Sequence, residues 1–172
     1  MLKPAILYAD RMTQCFAEAS LDPTNKYYAN TYWTFEMTVE TSDWSKHQFV
    51  SVDKSDNIVA YLSVDINRSC NFVYDMCVIR FLKTSRYDIM FAKDFKKFFW
   101  MLFSLYKYDK LEFNVVVGAP HEKMYDKFIK KYNGRIVGTL HKHWKSTDGQ
   151  ICDYKIYEIM RKDLLENARL EW

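Results

Sequence analysis

Leu111-Glu112-Phe113-Asn114-Val115-Val116-Val117-Gly118-Ala119-Pro120 is the stretch on which the fold turns. Its apolar, β-branched run reads as a buried strand, and Gly118-Ala119-Pro120 stops it. Tyr125, Phe128, Ile129 and Tyr132 then recur at i, i+3, i+4 and i+7, the spacing of an amphipathic helix. Asn133-Gly134 ends that helix, with Gly134 expected in the left-handed conformation of a C-terminal cap. Residues 135–140 read as a strand, Asp148-Gly149 as a turn, and residues 152–160 as a strand returning antiparallel. The order is strand, helix, strand, turn, strand: a unit that can form a crossover, followed by a hairpin.

Working outward, residues 91–106 make the most hydrophobic helix of the chain. Phe91, Phe95, Phe98, Phe99 and Leu102 form one stripe, and Trp100, Met101 and Phe103 widen it. Only Lys93, Asp94, Lys96 and Lys97 mark a wet side, so the helix should bury most of its circumference against a sheet. Lys83 to Asp88 is polar and reads as a connector. Before it, residues 47–52, 58–66 and 72–82 read as a three-stranded antiparallel meander, with turns at 53–57 and 67–69. At the N-terminal end, residues 6–19 read as a helix broken by Asp22-Pro23. Residues 27–33 are aromatic, either a second short helix or an ordered segment packed on the core. Residues 38–46 are a polar connector, and residues 162–172 a charged short helix or tail. No repeat or low-complexity segment is visible.

Composition narrows the function classes. At 172 residues, 49% hydrophobic and 17% aromatic, the chain can build one domain with a sound core. The regions are 1–46, 47–82, 83–110, 111–160 and 161–172, all within that domain. A net charge of +3, with bases dispersed among acids, does not indicate nucleic acid. Cys15, Cys70, Cys77 and Cys152 form no C-x-x-C pair, which points to reduced thiols in a cytoplasm. No uncharged apolar run reaches membrane-spanning length, and no signal-peptide core follows the first residues. His141-Lys142-His143 offers half of a zinc site with no third ligand in register, so no metal is expected. There is no P-loop and no G-x-S-x-G.

The element order is α+β, a mixed and mostly antiparallel sheet with helices on both faces. It resembles the GNAT superfamily of acyl-CoA-dependent N-acetyltransferases. The likeness is carried by Tyr125 with Lys127-Phe128, by Gly134, by Arg135-Ile136-Val137-Gly138-Thr139, and by Asp148-Gly149 with the strand after it. The opening Met-Leu-Lys-Pro and the aromatic N-terminal segment also resemble GNAT-like proteins encoded by tailed bacteriophages.

That resemblance implies acetyl transfer from acetyl-CoA to an amine of a small molecule or protein. A neutral amine attacks the thioester, so a carboxylate should take its proton, and the leaving thiolate needs a proton donor. Tyr125 is similar to the tyrosine that serves as that donor in the family, though its spacing equally suits a core aromatic. Asp75 and Glu112, on the two strands flanking the implied site, are the candidate bases. The pantetheine arm would pair with the strand edge at Cys77, Val78 and Ile79, and Lys83 and Arg86 would meet the pyrophosphate. The turn departs from the family pattern. With Arg86 in first place, the glycine positions fall on Ile89 and Phe91, and Asp88 adds negative charge. All four glycines lie beyond this turn, so backbone cannot approach a pyrophosphate without a Cβ in the way. The alternative is a catalytically degenerate GNAT-fold protein, phage-encoded and no longer binding CoA, that binds a protein partner or serves in a virion.

Overall fold

The computed structural model describes residues 1–27 and 37–168. The strands are β1 (Leu2–Pro4), β2 (Lys46–Val52), β3 (Ile58–Asn67), β4 (Phe72–Arg80), β5 (Lys110–Val116), β6 (Arg135–Lys145) and β7 (Ile151–Met160). They form one seven-stranded sheet in the order β1-β2-β3-β4-β5-β7-β6. The expected meander is β2-β3-β4, and the expected hairpin is β6-β7. The short β1 was not legible, because three residues carry no periodicity. It forms by pairing Leu2 with Ser51 and Pro4 with Phe49 at the sheet edge.

Among the described residues four α-helices cover the sheet: α1 (Ala9–Leu21), α2 (Ser85–Trp100), α3 (Glu122–Lys131) and α4 (Arg161–Ala168). They sort onto two apolar clusters. Met12 and Phe16 of α1 pack with Val50, Val52, Tyr61 and Ile79 on one face. Phe98 and Phe99 of α2, and Tyr125 and Ile129 of α3, pack with Phe49, Leu62, Val64, Leu111 and Phe113 on the other. Burial on both faces explains why β3 is almost continuously apolar.

Three details differ from the sequence expectations. α2 opens at Ser85, not at Phe91, with Thr84 extended at its N-cap and the Asp88 N–H donating to the Thr84 carbonyl at 2.9 Å. The supposed connector therefore supplies the first helical turn. β5 and β6 are both antiparallel to β7, which lies between them, so the crossover through α3 skips one strand. At the end of α3 the left-handed residue is Asn133 (φ 55°), while the Gly134 N–H donates to the Ile129 carbonyl at 2.8 Å. Gly134 is required for a different reason. A Cβ there would lie 2.8 Å from the Glu158 carbonyl oxygen and 2.9 Å from Ile129 Cδ1. Of the aromatic segment 27–33, residues 28–33 lie outside the described residues.

Candidate functional site

The site begins where the sheet comes apart. β4 and β5 run parallel but pair only at Phe72 with Lys110 and Val73 with Leu111. Immediately afterwards β4 bulges: Ser63 pairs with Cys77 and Asp65 with Tyr74, so Asp75 and Met76 together oppose Val64. Asp75 takes the left-handed region (φ 49°) that this extra residue demands. The bulged strand bends away from β5, and its β5-facing backbone groups past Val73 have no strand partner among the described residues.

A cavity of about 390 Å³ fills the divergence. β4 contributes Asp75, Cys77 and Val78, and β5 contributes Asn114, Val115 and Val116. His121 and Tyr125 close it from α3 and the turn before it, and His143, Trp144 and Tyr154 from the hairpin. A second cavity of about 460 Å³ runs between α2 and α3 and shares Val78, His121 and Tyr125 with the first. Its remaining wall combines Phe91, Phe95, Phe99 and Phe128 with the charged Arg80, Asp88, Lys96 and Lys131. Tyr125 thus stands at the junction of two chambers, 5% exposed, with its ring edge-on to Phe113 and His121 at centroid distances of 5.1 and 5.0 Å.

Burial governs the titration of the lining groups. It pushes the Cys77 thiol up to about 12, with the neighbouring Asp75 adding to the effect, so this cysteine is not a thiolate nucleophile. It pulls His121 down to about 4, leaving a neutral imidazole. Tyr154 is raised by burial and donates its hydroxyl to Asn114 Oδ1 at 2.5 Å. Its ring is stacked on Trp144, nearly parallel at 5.7 Å. The Trp144 Nε1–H is buried and has no acceptor among the described residues. α3 is held on β7 by Lys155, which pairs with Glu122 and with Asp126 at 3.1 Å, while Tyr157 donates to Asp126 at 2.7 Å.

The other sequence candidates are distributed unevenly. Asp75 lines both the main cavity and a smaller polar pocket of about 220 Å³ that also contains Glu40, Lys46 and Ser63. Glu112 lies outside these cavities and pairs with Lys110 at 3.1 Å, which also approaches Glu158 at 3.4 Å. Ile79 is buried in the α1-side core. Asn114, Trp144 and Tyr154 enter the site without a motif to announce them. His141 is turned to Asp153 at 2.9 Å, and no group of three or more candidate metal ligands occurs among the described residues.

The turn into α2 bears on whether CoA fits. The Phe81 and Leu82 N–H groups both donate to the Val59 carbonyl, at 2.9 and 3.2 Å. Lys83 reaches Asp22 at 2.8 Å and Asn25 at 2.9 Å, and this bond holds the Asp22 carboxyl down to about 2. Arg80 pairs with Asp88 and lies over the Phe91 ring at 5.0 Å. Arg86 is exposed, with its guanidinium over its neighbour Tyr87. The divergent strands and apolar groove fit an acylated pantetheine arm. The turn has no glycine, a carboxylate in the first turn of α2, and Arg80 and Lys83 both held by carboxylates, and so does not fit a diphosphate well.

No protein-family model matches the sequence, and no curated protein matches it. Solved structures do. A chimera of spermidine N-acetyltransferase SpeG from Vibrio cholerae and hSSAT is similar with a TM-score of 0.69 at 14% identity, over 96% of this chain and 99% of that one. SpeG from Vibrio cholerae with manganese ions gives 0.65 at 13%, over 98% and 96%. A GCN5-related N-acetyltransferase from Brucella melitensis gives 0.68 at 14%, over 98% and 78%. At such identities the likeness is one of architecture. The chain has the GNAT fold.

Proposed function

We propose that the chamber at the β4/β5 divergence transfers an acyl group from a pantetheine thioester to a primary amine. The observation that carries this reading is the parallel pair that separates after two residues, with a carboxylate and a phenol facing the gap. The neighbours' architecture supports it. In this reading Asp75 accepts a proton from the acceptor ammonium, directly or through water, so that the amine can attack. Attack forms the C–N bond and a tetrahedral oxyanion. Its collapse breaks the C–S bond, the Tyr125 hydroxyl gives its proton to the leaving sulfur, and the second proton of the attacking nitrogen passes to the Tyr125 phenolate or to water. Unpartnered N–H groups of β4 past Val73 are the donors at hand for the oxyanion. Asp75 is favoured over Glu112 because Lys110 already occupies the latter. For the acceptor, Glu40 and Asp75 around the polar pocket suit a cation, and two neighbours are spermidine acetyltransferases, which makes polyamines the first amines to try.

The phosphate-facing turn favours a second reading, a GNAT-fold binding or structural protein, phage-encoded, that performs no transfer. The discriminating experiment is acetyl transfer to a panel of amines from acetyl-CoA and from S-acetylpantetheine. Asp75→Asn and Tyr125→Phe should each lower turnover about 100-fold or more, the usual scale of a lost acid or base. Transfer unaffected by Tyr125→Phe would remove that residue from the mechanism. No transfer from either donor would leave the binding-protein reading.

A further inference from the structure

The two ends of the donor site disagree, and the disagreement is informative. At the reacting end the chain offers open strand edges and a chamber that continues past Tyr125 into the aromatic groove. At the far end several groups that could receive a diphosphate are already engaged, although Arg86 is exposed and Lys96 and Lys131 line the groove. Two turn amides serve Val59, and Lys83 serves Asp22 and Asn25. Asp88 puts a carboxylate in the first turn of α2, where the helix dipole would otherwise favour a phosphate, and it holds Arg80. Phe91 stacks on Phe95 at 5.4 Å and occupies the groove wall beneath Arg80.

We infer that this site takes a pantetheine thioester that lacks the adenosine diphosphate part of CoA, whether free or carried on a phosphopantetheine arm. The inference rests on the acyl-transfer reading above and narrows its donor. Neutral amide and methyl groups of pantetheine match the apolar groove, whereas a diphosphate would have to compete with the half-exposed Asp88 carboxylate for Arg80. In CoA the nucleotide should therefore contribute no affinity.

The test is calorimetric titration of the whole chain with S-acetylpantetheine, acetyl-4′-phosphopantetheine, acetyl-CoA and an acetyl-loaded acyl carrier protein. Acetylpantetheine should bind within threefold of acetyl-CoA or more tightly. Tighter binding of the loaded carrier would identify the carried arm as the source, and equal binding the free one. In Asp88→Asn, an exposed substitution, acetyl-CoA should tighten at least threefold at low salt while acetylpantetheine stays unchanged. Phe91→Gly should do the same by opening the groove wall. Acetyl-CoA binding tenfold or more above acetylpantetheine in the unmodified chain would overturn the inference and leave acyl transfer standing. Failure of all four donors to bind at millimolar concentration would overturn both.

Discussion

Acidification should withdraw stability through one identifiable ring. His121 sits at the start of α3 with its ring edge-on to Tyr125, and burial lowers its pKa from 6.5 to about 4. Glu122 opposes the shift, but its carboxylate is held by Lys155 and by the Gly118 N–H at 2.8 Å. In the unfolded chain the imidazole takes its proton near pH 6.5. Between the two values the unfolded state binds more protons than the folded one, so stability falls as pH falls. The full difference of roughly 2.5 pH units corresponds to about 3 kcal/mol, and about 2 kcal/mol of it is lost between pH 7 and pH 5. Urea unfolding at those two pH values, for the native chain and for His121→Gln, isolates this contribution. His47, also lowered by burial, is present in both proteins and cancels in the comparison. Asp22, held near 2, titrates below the window. The native chain should lose about 2 kcal/mol more than the variant over this interval. Equal losses would show that His121 is not desolvated in the folded state, and the description of the chamber wall would fail with it.

Two further substitutions probe the frame around the site. Gly134→Ala drives a methyl against the Glu158 carbonyl, which is fixed in the β6/β7 ladder, and should cost about 1–3 kcal/mol in thermal or urea unfolding. A loss below about 0.5 kcal/mol would mean that α3 can lift off β7 at no cost. Trp144→Phe keeps a ring on Tyr154 and removes a buried N–H that has no acceptor among the described residues, so stability should hold or rise by up to about 1 kcal/mol. A loss well beyond the small transfer cost of the smaller ring would show that the indole donor was bonded.

What the sequence discloses here is whatever is local. The amphipathic spacing of α3, the β-branched run of β5 and the turn at Asp148-Gly149 each have a signature a few residues long. All three stand where the pattern puts them. The position of β7 between β5 and β6 has no such signature, since pairing partners are set by tertiary packing and not by either strand's own residues. The same distinction applies at the end of α3. That a cap follows Tyr132 is local chemistry, but the need for Gly134 comes from a carbonyl on β7, 24 residues later (158 − 134). In the site, Tyr125 was legible through its helix, whereas Asn114, Trp144 and Tyr154 converge from strands whose arrangement only the fold decides. Lys83 looked like a free cation beside a phosphate turn. Its partners, Asp22 and Asn25, belong to a segment some sixty residues upstream.

β4 explains how an open chamber and a crowded turn lie along one strand. Its opening from β5 depends on one backbone irregularity, the left-handed Asp75 with Met76 opposite Val64. That irregularity is paired to β3 on both sides and needs nothing from α2. The far end of the same strand is governed by side chains instead: Arg80 reaches Asp88 and covers Phe91. Between the two controls, Cys77 to Arg80 keep an unbroken register with Ser63 to Ala60 on β3. A change at residues 80, 88 or 91 is therefore insulated from the bulge by a regular antiparallel ladder. Selectivity for the donor's tail can drift without disturbing the geometry at Asp75 and Tyr125. In the proposed reading the turn without glycines therefore bears on which donor enters, separately from the geometry at Asp75 and Tyr125.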